Sequence, residues 1–151
     1  MVIYTMGYAG RRLGDVVDLA KHLNALIVDV RLVPSSRAPG FAGAELEKAL
    51  RGCYLWLPGF GNVNYRGGPV LLADFYDAEA ALRERLGPES ANVILLCACR
   101  DVAKCHRKLV AEKLAKRWGC EVVHLGRRGG GKNLSDFMVD TPPARQVGCR
   151  A

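Results

Sequence analysis

The chain has 151 residues, 50% of them hydrophobic and 25% charged, with a formal net charge of +7. A domain of that size buries a real core without disulfide or metal staples. No apolar run approaches the ~20 residues that span a bilayer, so no membrane partner is expected. The positive charge suits phosphate-bearing ligands or nucleic acid, but equally a solvated basic surface.

Residues 2–6 read as a strand rather than a secretory signal, which needs a basic stretch followed by a long apolar one. A cytoplasmic protein is expected. In that compartment six cysteines read as reduced, catalytic or metal-binding rather than as a disulfide framework; in a hyperthermophile Cys53, Cys120 or Cys149 can pair. Gly7-Tyr8-Ala9-Gly10 is a turn, and Leu13, Val16, Val17, Ala20 and Leu23 then fall at helix spacing. Leu26-Ile27-Val28-Asp29-Val30 is a continuous apolar strand broken only at Asp29, the pattern of a parallel strand buried on both faces. A Pro/Ser/Gly loop over 34–40 leads to a helix over 44–50 and a strand over 54–57, with Tyr54-Leu55-Trp56 expected in the core. A long Gly-rich loop over 58–69 follows, then a helix over 71–86 presenting Leu72, Phe75, Leu82 and Leu86. The last core elements are a strand over 93–96, a helix over 105–118 and a strand over 121–125.

Strands alternate with helices throughout. The expected fold is α/β, a single three-layer domain over 1–125, with a mostly parallel sheet and helices on both faces. Residues 126–151 form a basic, Gly- and Pro-containing extension.

Three turns follow predicted strands and, if the strands are parallel, share one rim of the sheet. The first holds Tyr8 and Arg11, with glycines that permit close backbone approach. The second holds Asp29 and Arg31, with Ser35 and Arg37 behind them. An Asp ending a buried strand needs a partner; it can orient Arg31, His106 or a substrate hydroxyl, or cap nearby backbone. The third runs from Cys97 to Arg107. A cysteine near a helix N-terminus and several arginines is expected to gain thiolate character. His106 suits general acid–base work, and Arg31 and Arg107 suit bidentate grip on a phosphate or carboxylate. Cys97 also fits as a small core residue.

Cys97, Cys99, Cys105 and His106 are ligand types that suit zinc, but their spacing is not a common two-knuckle pattern, so no cofactor is assigned and zinc stays an alternative. A phosphatase-type loop is disfavoured, because six residues after Cys97 stands Ala103 and six after Cys99 stands Cys105, not Arg. On the last helix Lys104, Arg107, Lys108, Lys113, Lys116 and Arg117 are expected to face outward, opposite Leu109, Val110, Leu114 and Trp118. With the basic segment 127–132 they can follow a polyanion backbone.

These blocks together resemble the domain-of-unknown-function family 488. The resemblance rests on Tyr4-Thr5-Met6-Gly7-Tyr8-Ala9-Gly10-Arg11, on Val28-Asp29-Val30-Arg31 with Pro34 and Ser36-Arg37, and on Pro39-Gly40-Phe41. It continues in Leu96-Cys97-Ala98, Cys105-His106-Arg107 and Val122-Val123-His124, and covers about residues 2–125. It implies an α/β domain whose blocks meet at one site, and no settled activity. Where the family usually carries Glu this chain has Cys99, so a Glu-dependent step is not expected and Cys99 should be dispensable.

The leading functional expectation is an enzyme acting on a nucleotide or another phosphorylated or anionic small molecule, by Cys/His hydrolase or transferase chemistry. Arg31, Arg37 and Arg107 would hold the anion, with Tyr8 and Arg11 at the substrate. Cys97 or Cys105 would be nucleophile or lining, His106 the proton carrier and Asp29 its orienter. The alternatives are a nucleic-acid-binding module using the basic helix and tail, and a zinc or thiol-redox protein.

Overall fold

The computed structural model describes residues 1–88 and 91–126. The basic segment 127–132 and Cys149 lie outside those residues. Five strands, β1 Val2–Gly7, β2 Ala25–Asp29, β3 Tyr54–Trp56, β4 Asn92–Cys97 and β5 Glu121–Leu125, alternate with four helices. The helices are α1 Leu13–His22, α2 Gly43–Leu50, α3 Phe75–Leu86 and α4 His106–Trp118. The sheet has the order β3-β2-β4-β1-β5, and every pairing in it is parallel. The expected α/β domain is borne out.

Every residue of β2 and β4 is buried, as continuous apolar runs in the middle of a parallel sheet require. Handedness then assigns the helices. The crossovers from β1 to β2 and from β2 to β3 run in one direction across the sheet, and those from β3 to β4 and from β4 to β5 run in the other. Right-handed connections therefore place α1 and α2 on one face, α3 and α4 on the opposite one. The core divides accordingly. Val16, Leu19, Leu46 and Leu50 pack with Tyr4, Met6, Ile27, Ile94 and Leu96. Phe75, Leu82, Val110 and Leu114 pack with Ile3, Val28, Val30, Val93 and Leu95.

The start of α3 departs from the sequence expectation, while the other elements begin within one residue of theirs. Helix α3 begins four residues late because Asp74 caps it, accepting from the Asp77 N–H at 3.1 Å. The apolar residues before it belong to the preceding loop, where Leu72 bridges Asn62 and Ala73 N–H donates to Gly61 O at 2.9 Å. Helix α4 begins at His106, with Cys105 as its N-cap residue. No helix among the described residues is long and apolar enough to cross a membrane.

A buried carboxylate ties α3 to α4. Glu79 is 3% exposed and accepts from Trp118 Nε1 at 2.6 Å, Arg117 Nε at 2.6 Å and Arg83 Nη2 at 3.1 Å. Burial alone would raise its pKa; the hydrogen bond from Trp118, then those from Arg117 and Arg83, outweigh that and hold it below the usual carboxylate range. A depressed folded-state pKa contributes stability above the unfolded value of about 4.3, which is lost as pH falls through the folded value. Glu79→Gln should therefore lower stability at neutral pH by about 1–3 kcal/mol. The deficit should shrink in acid, as urea unfolding at neutral and acidic pH will measure.

Candidate functional site

At the C-terminal ends of the strands the connections diverge between β2 and β4. The chain leaves β2 toward β3 and leaves β4 toward β5, which opens the crevice where ligands of open α/β sheets bind. The three turns meet there. Tyr8 N–H donates to Cys97 O at 2.9 Å, Ala9 N–H to Ala98 O at 3.2 Å, and Val30 N–H to Leu96 O at 3.1 Å. Gly7 makes this closure possible, since a Cβ there would lie 1.8 Å from the Cys99 carbonyl oxygen.

The candidate residues form two clusters on opposite faces of the sheet. Asp29 is paired with Leu96 and shares its face with Ile27, on the α1/α2 side. Its carboxylate is fully buried. Oδ1 accepts from the Arg31 backbone N–H at 3.1 Å and from Arg31 Nε at 2.8 Å. Oδ2 accepts from Arg31 Nη2 at 2.5 Å and from Tyr54 Oη at 2.8 Å. Arg31 Nη1 donates to Tyr8 Oη at 3.0 Å, Phe41 O at 2.9 Å and Ser35 O at 3.2 Å. Tyr8 stacks on Phe41 with centroids 4.3 Å apart and donates to Ser36 Oγ at 3.0 Å. Burial alone would lower the Arg31 pKa, but the Asp29 carboxylate more than offsets it and the group stays charged. Burial, reinforced by Asp29, pushes the Tyr54 hydroxyl up, so it remains a donor.

The second cluster lies on the α3/α4 side, with Val30, Leu95 and Val110. The sulfurs of Cys97, Cys99 and Cys105 all lie within 4.8 Å of one another. Cys97 and Cys105 are buried and Cys99 is exposed; all three are free thiols. The Cys97 thiol first and then the Cys99 thiol stabilise a thiolate on Cys105. Burial opposes them, while the Arg107 backbone and guanidinium add to them, and the Cys105 pKa is pushed down to about 3. Cys97 moves up, chiefly through its contact with Cys105, and Cys99 moves up for the same first reason. His106 is half-buried, with Nε2 2.8 Å from Val30 O and Nδ1 4.0 Å from Cys105 Sγ. A carbonyl only accepts, so Nε2 carries the proton and Nδ1 presents its lone pair.

Several expectations are corrected. Asp29 does not orient His106; the Val30 carbonyl does. Arg31 is not free for an anion, because Asp29, Tyr8, Ser35 and Phe41 engage all three of its nitrogens. Arg107 does not face outward. It is 2% exposed, donates to Cys99 O at 2.6 Å and Arg100 O at 3.3 Å, and its buried Nε has no partner.

The other basic residues of the stripe keep largely to the surface, with Lys104, Lys108, Lys116 and Arg117 exposed and Lys113 half-buried. Arg117 pairs with Glu79, Lys108 lies 3.8 Å from Glu112, and Lys113 sits over the Phe75 ring at 4.8 Å. Arg11 donates to Gly7 O at 2.9 Å and Leu125 O at 3.2 Å, whereas Arg37 and Arg100 are exposed at the rim. Trp56, expected in the core, is 40% exposed, with Nε1 donating to Arg31 O at 2.9 Å. Sequence reasoning missed Cys99, set aside as a departure from a family Glu. It also missed Tyr54, whose signal was its position on β3 opposite Ile27 of β2.

A family model described as "Domain of unknown function DUF488" matches residues 12–67, and over that segment the resemblance read from the sequence is shown. The segment holds Asp29, Arg31 and Tyr54, while Cys97, Cys105 and His106 lie beyond it. No curated protein and no solved structure matches the chain.

Removing Asp29 leaves the Arg31 guanidinium buried without its counter-charge, so Asp29→Ala should destabilise by about 3–5 kcal/mol. Tyr54→Phe, which deletes one hydrogen bond, should cost about 1 kcal/mol. Equilibrium urea unfolding of the two variants will rank them. Gly7→Ala should lower the melting temperature and disturb the cysteine cluster together, because the new methyl group can be housed only by moving the Cys99 backbone.

Proposed function

We propose that the chain is a thiol enzyme acting on a small anionic substrate in the crevice between β2 and β4, with Cys105 as its nucleophile. The observation that carries this reading is the placing of Cys105 at the N-cap of α4, its sulfur within 4.8 Å of two further thiols. A helix start and the buried Arg107 charge favour an anionic sulfur there. The exposed Arg37 and Arg100 supply positive charge at the rim for a carboxylate or phosphate of the substrate.

Two neighbouring thiols favour thiol–disulfide exchange over hydrolysis. The Cys105 thiolate attacks one sulfur of a substrate disulfide; a Cys105–substrate S–S bond forms and the other half leaves as a thiolate. Cys99 then passes its proton to His106 Nδ1 and attacks Cys105 Sγ. This forms a Cys99–Cys105 disulfide and releases the first half as a thiolate. A low-molecular-weight thiol reduces that disulfide and is itself oxidised, which closes the cycle. Cys99, the exposed member, is the one placed to meet the reducing thiol, and Cys97 holds the Cys105 thiolate between turnovers.

The nucleic-acid reading has less support, since Arg107 is buried and Arg117 and Lys113 are partly taken up by Glu79 and Phe75, although Lys104, Lys108 and Lys116 stay exposed.

The probe is dithionitrobenzoate, an anionic aromatic disulfide, applied to metal-free protein in a background in which Cys53, Cys120 and Cys149 are replaced, so that only the cluster carries thiols. The intact cluster should release two thionitrobenzoate ions in a fast phase and keep no adduct. Cys99→Ser should release one and retain a mixed disulfide on Cys105, visible by mass spectrometry. Cys105→Ser should slow the fast phase by about tenfold or more; an unchanged fast phase in that variant would overturn the reading.

A further inference from the structure

We infer that Cys97, Cys99, Cys105 and His106 together form a binding site for a single zinc-class metal ion. Among the described residues no other group of three His, Cys, Asp or Glu side chains converges in this way. Zinc bound tetrahedrally at about 2.3 Å from each sulfur holds its sulfurs about 3.8 Å apart. The three sulfurs already lie within 4.8 Å of one another, so rotation of short side chains closes the set.

His106 stands beside this trio rather than within it, and a small shift of the ring would bring it in as the fourth ligand. Its Nε2–H is anchored on Val30 O at 2.8 Å, and its Nδ1 lone pair lies 4.0 Å from Cys105 Sγ. A histidine that donates its second ring N–H to a backbone carbonyl is oriented and tautomer-fixed as metal-bound histidines are. Three thiolates and an imidazole are donors that zinc prefers over the harder cations. Three thiolates on a divalent ion carry a net negative charge, and the buried Arg107 beside Cys105 balances it, with an Nε that has no partner of its own.

Spacing along the chain argued against this site and the fold overrides it. Cys97 ends β4, Cys99 lies in the turn after it, and Cys105 and His106 return at the start of α4. The ion would thereby fasten the turn to the helix. Four protein ligands leave no open position, so the loaded site is closed and its sulfurs are withdrawn from disulfide exchange. Metal binding does not rest on the proposed enzyme activity.

The test uses the full chain, prepared without a metal-affinity tag, stripped of metal under anaerobic reducing conditions and titrated with cobalt(II). The expected result is a thiolate-to-cobalt charge-transfer band with the strong visible bands of a tetrahedral ion. It should saturate at one equivalent and be displaced by one equivalent of zinc. Cys99→Ser, which alters an exposed side chain, and His106→Ala should each weaken cobalt binding by about a hundredfold or more, and Cys120→Ser should leave it unchanged. Absence of the band, or a titration unmoved by both ligand variants, overturns the site. Saturable cobalt binding together with unaltered exchange in Cys105→Ser would instead overturn the enzyme reading alone.

Discussion

Pairing of β2 with β4 in a single register, Asp29 beside Leu96, decides which chemistry each rim residue can join. Successive side chains of a strand face opposite ways. With Asp29 turned toward α1 and α2, Val30 faces α3 and α4, and Cys97, one residue beyond Leu96, faces the same way as Val30. A charged network and a thiol cluster therefore form back to back, with the sheet between them. They are linked through backbone groups, the Val30 carbonyl that holds His106 and the Cys97 carbonyl that accepts from Tyr8 N–H. A slip of one residue would exchange the two faces and drive the Asp29 carboxylate into the apolar layer beneath α4.

The two arginines that look like ligand-binding groups serve instead to close the rim. Guanidinium nitrogens donate in a fixed plane to several acceptors at once, and both side chains use that property on backbone carbonyls. Arg31 gathers Ser35 O and Phe41 O and so folds the loop after β2 over its own strand end. Arg107 reaches back from α4 to Cys99 O and Arg100 O and fixes the turn that carries the cysteines. Lysine could not span either set. Much of the site's positive charge is thus structural, and a net charge of +7 overstates what is available to a ligand.

Most of the fold is legible in the sequence, because β2 and β4 are apolar runs of strand length and the amphipathic helices between them have clear periods. The start of α3 is misjudged, since Leu71 and Leu72 continue the helical pattern while Asp74 offers a better cap and Gly61 and Asn62 take the loop backbone. The site is legible as a list of residues and not as an arrangement. Asp29, Arg31, Tyr8, Cys97, Cys105 and His106 all reach the rim as expected, but their sorting into two faces depends on strand register, which no local pattern states. Arg107 reads as surface charge because it is one of several basic residues on α4; only the Cys99 and Arg100 carbonyls, brought under the helix by the fold, turn it inward.

The tautomer of His106 limits what the thiol cluster can do. Anchoring Nε2–H on Val30 O leaves Nδ1 as a base aimed at sulfur, and that lone pair can accept a proton or bind a metal ion, but not both at once. In the proposed site the same lone pair would serve either as the base for Cys99 or as a ligand to the ion, so disulfide exchange and metal occupancy would compete for one small group of atoms anchored on the Val30 carbonyl.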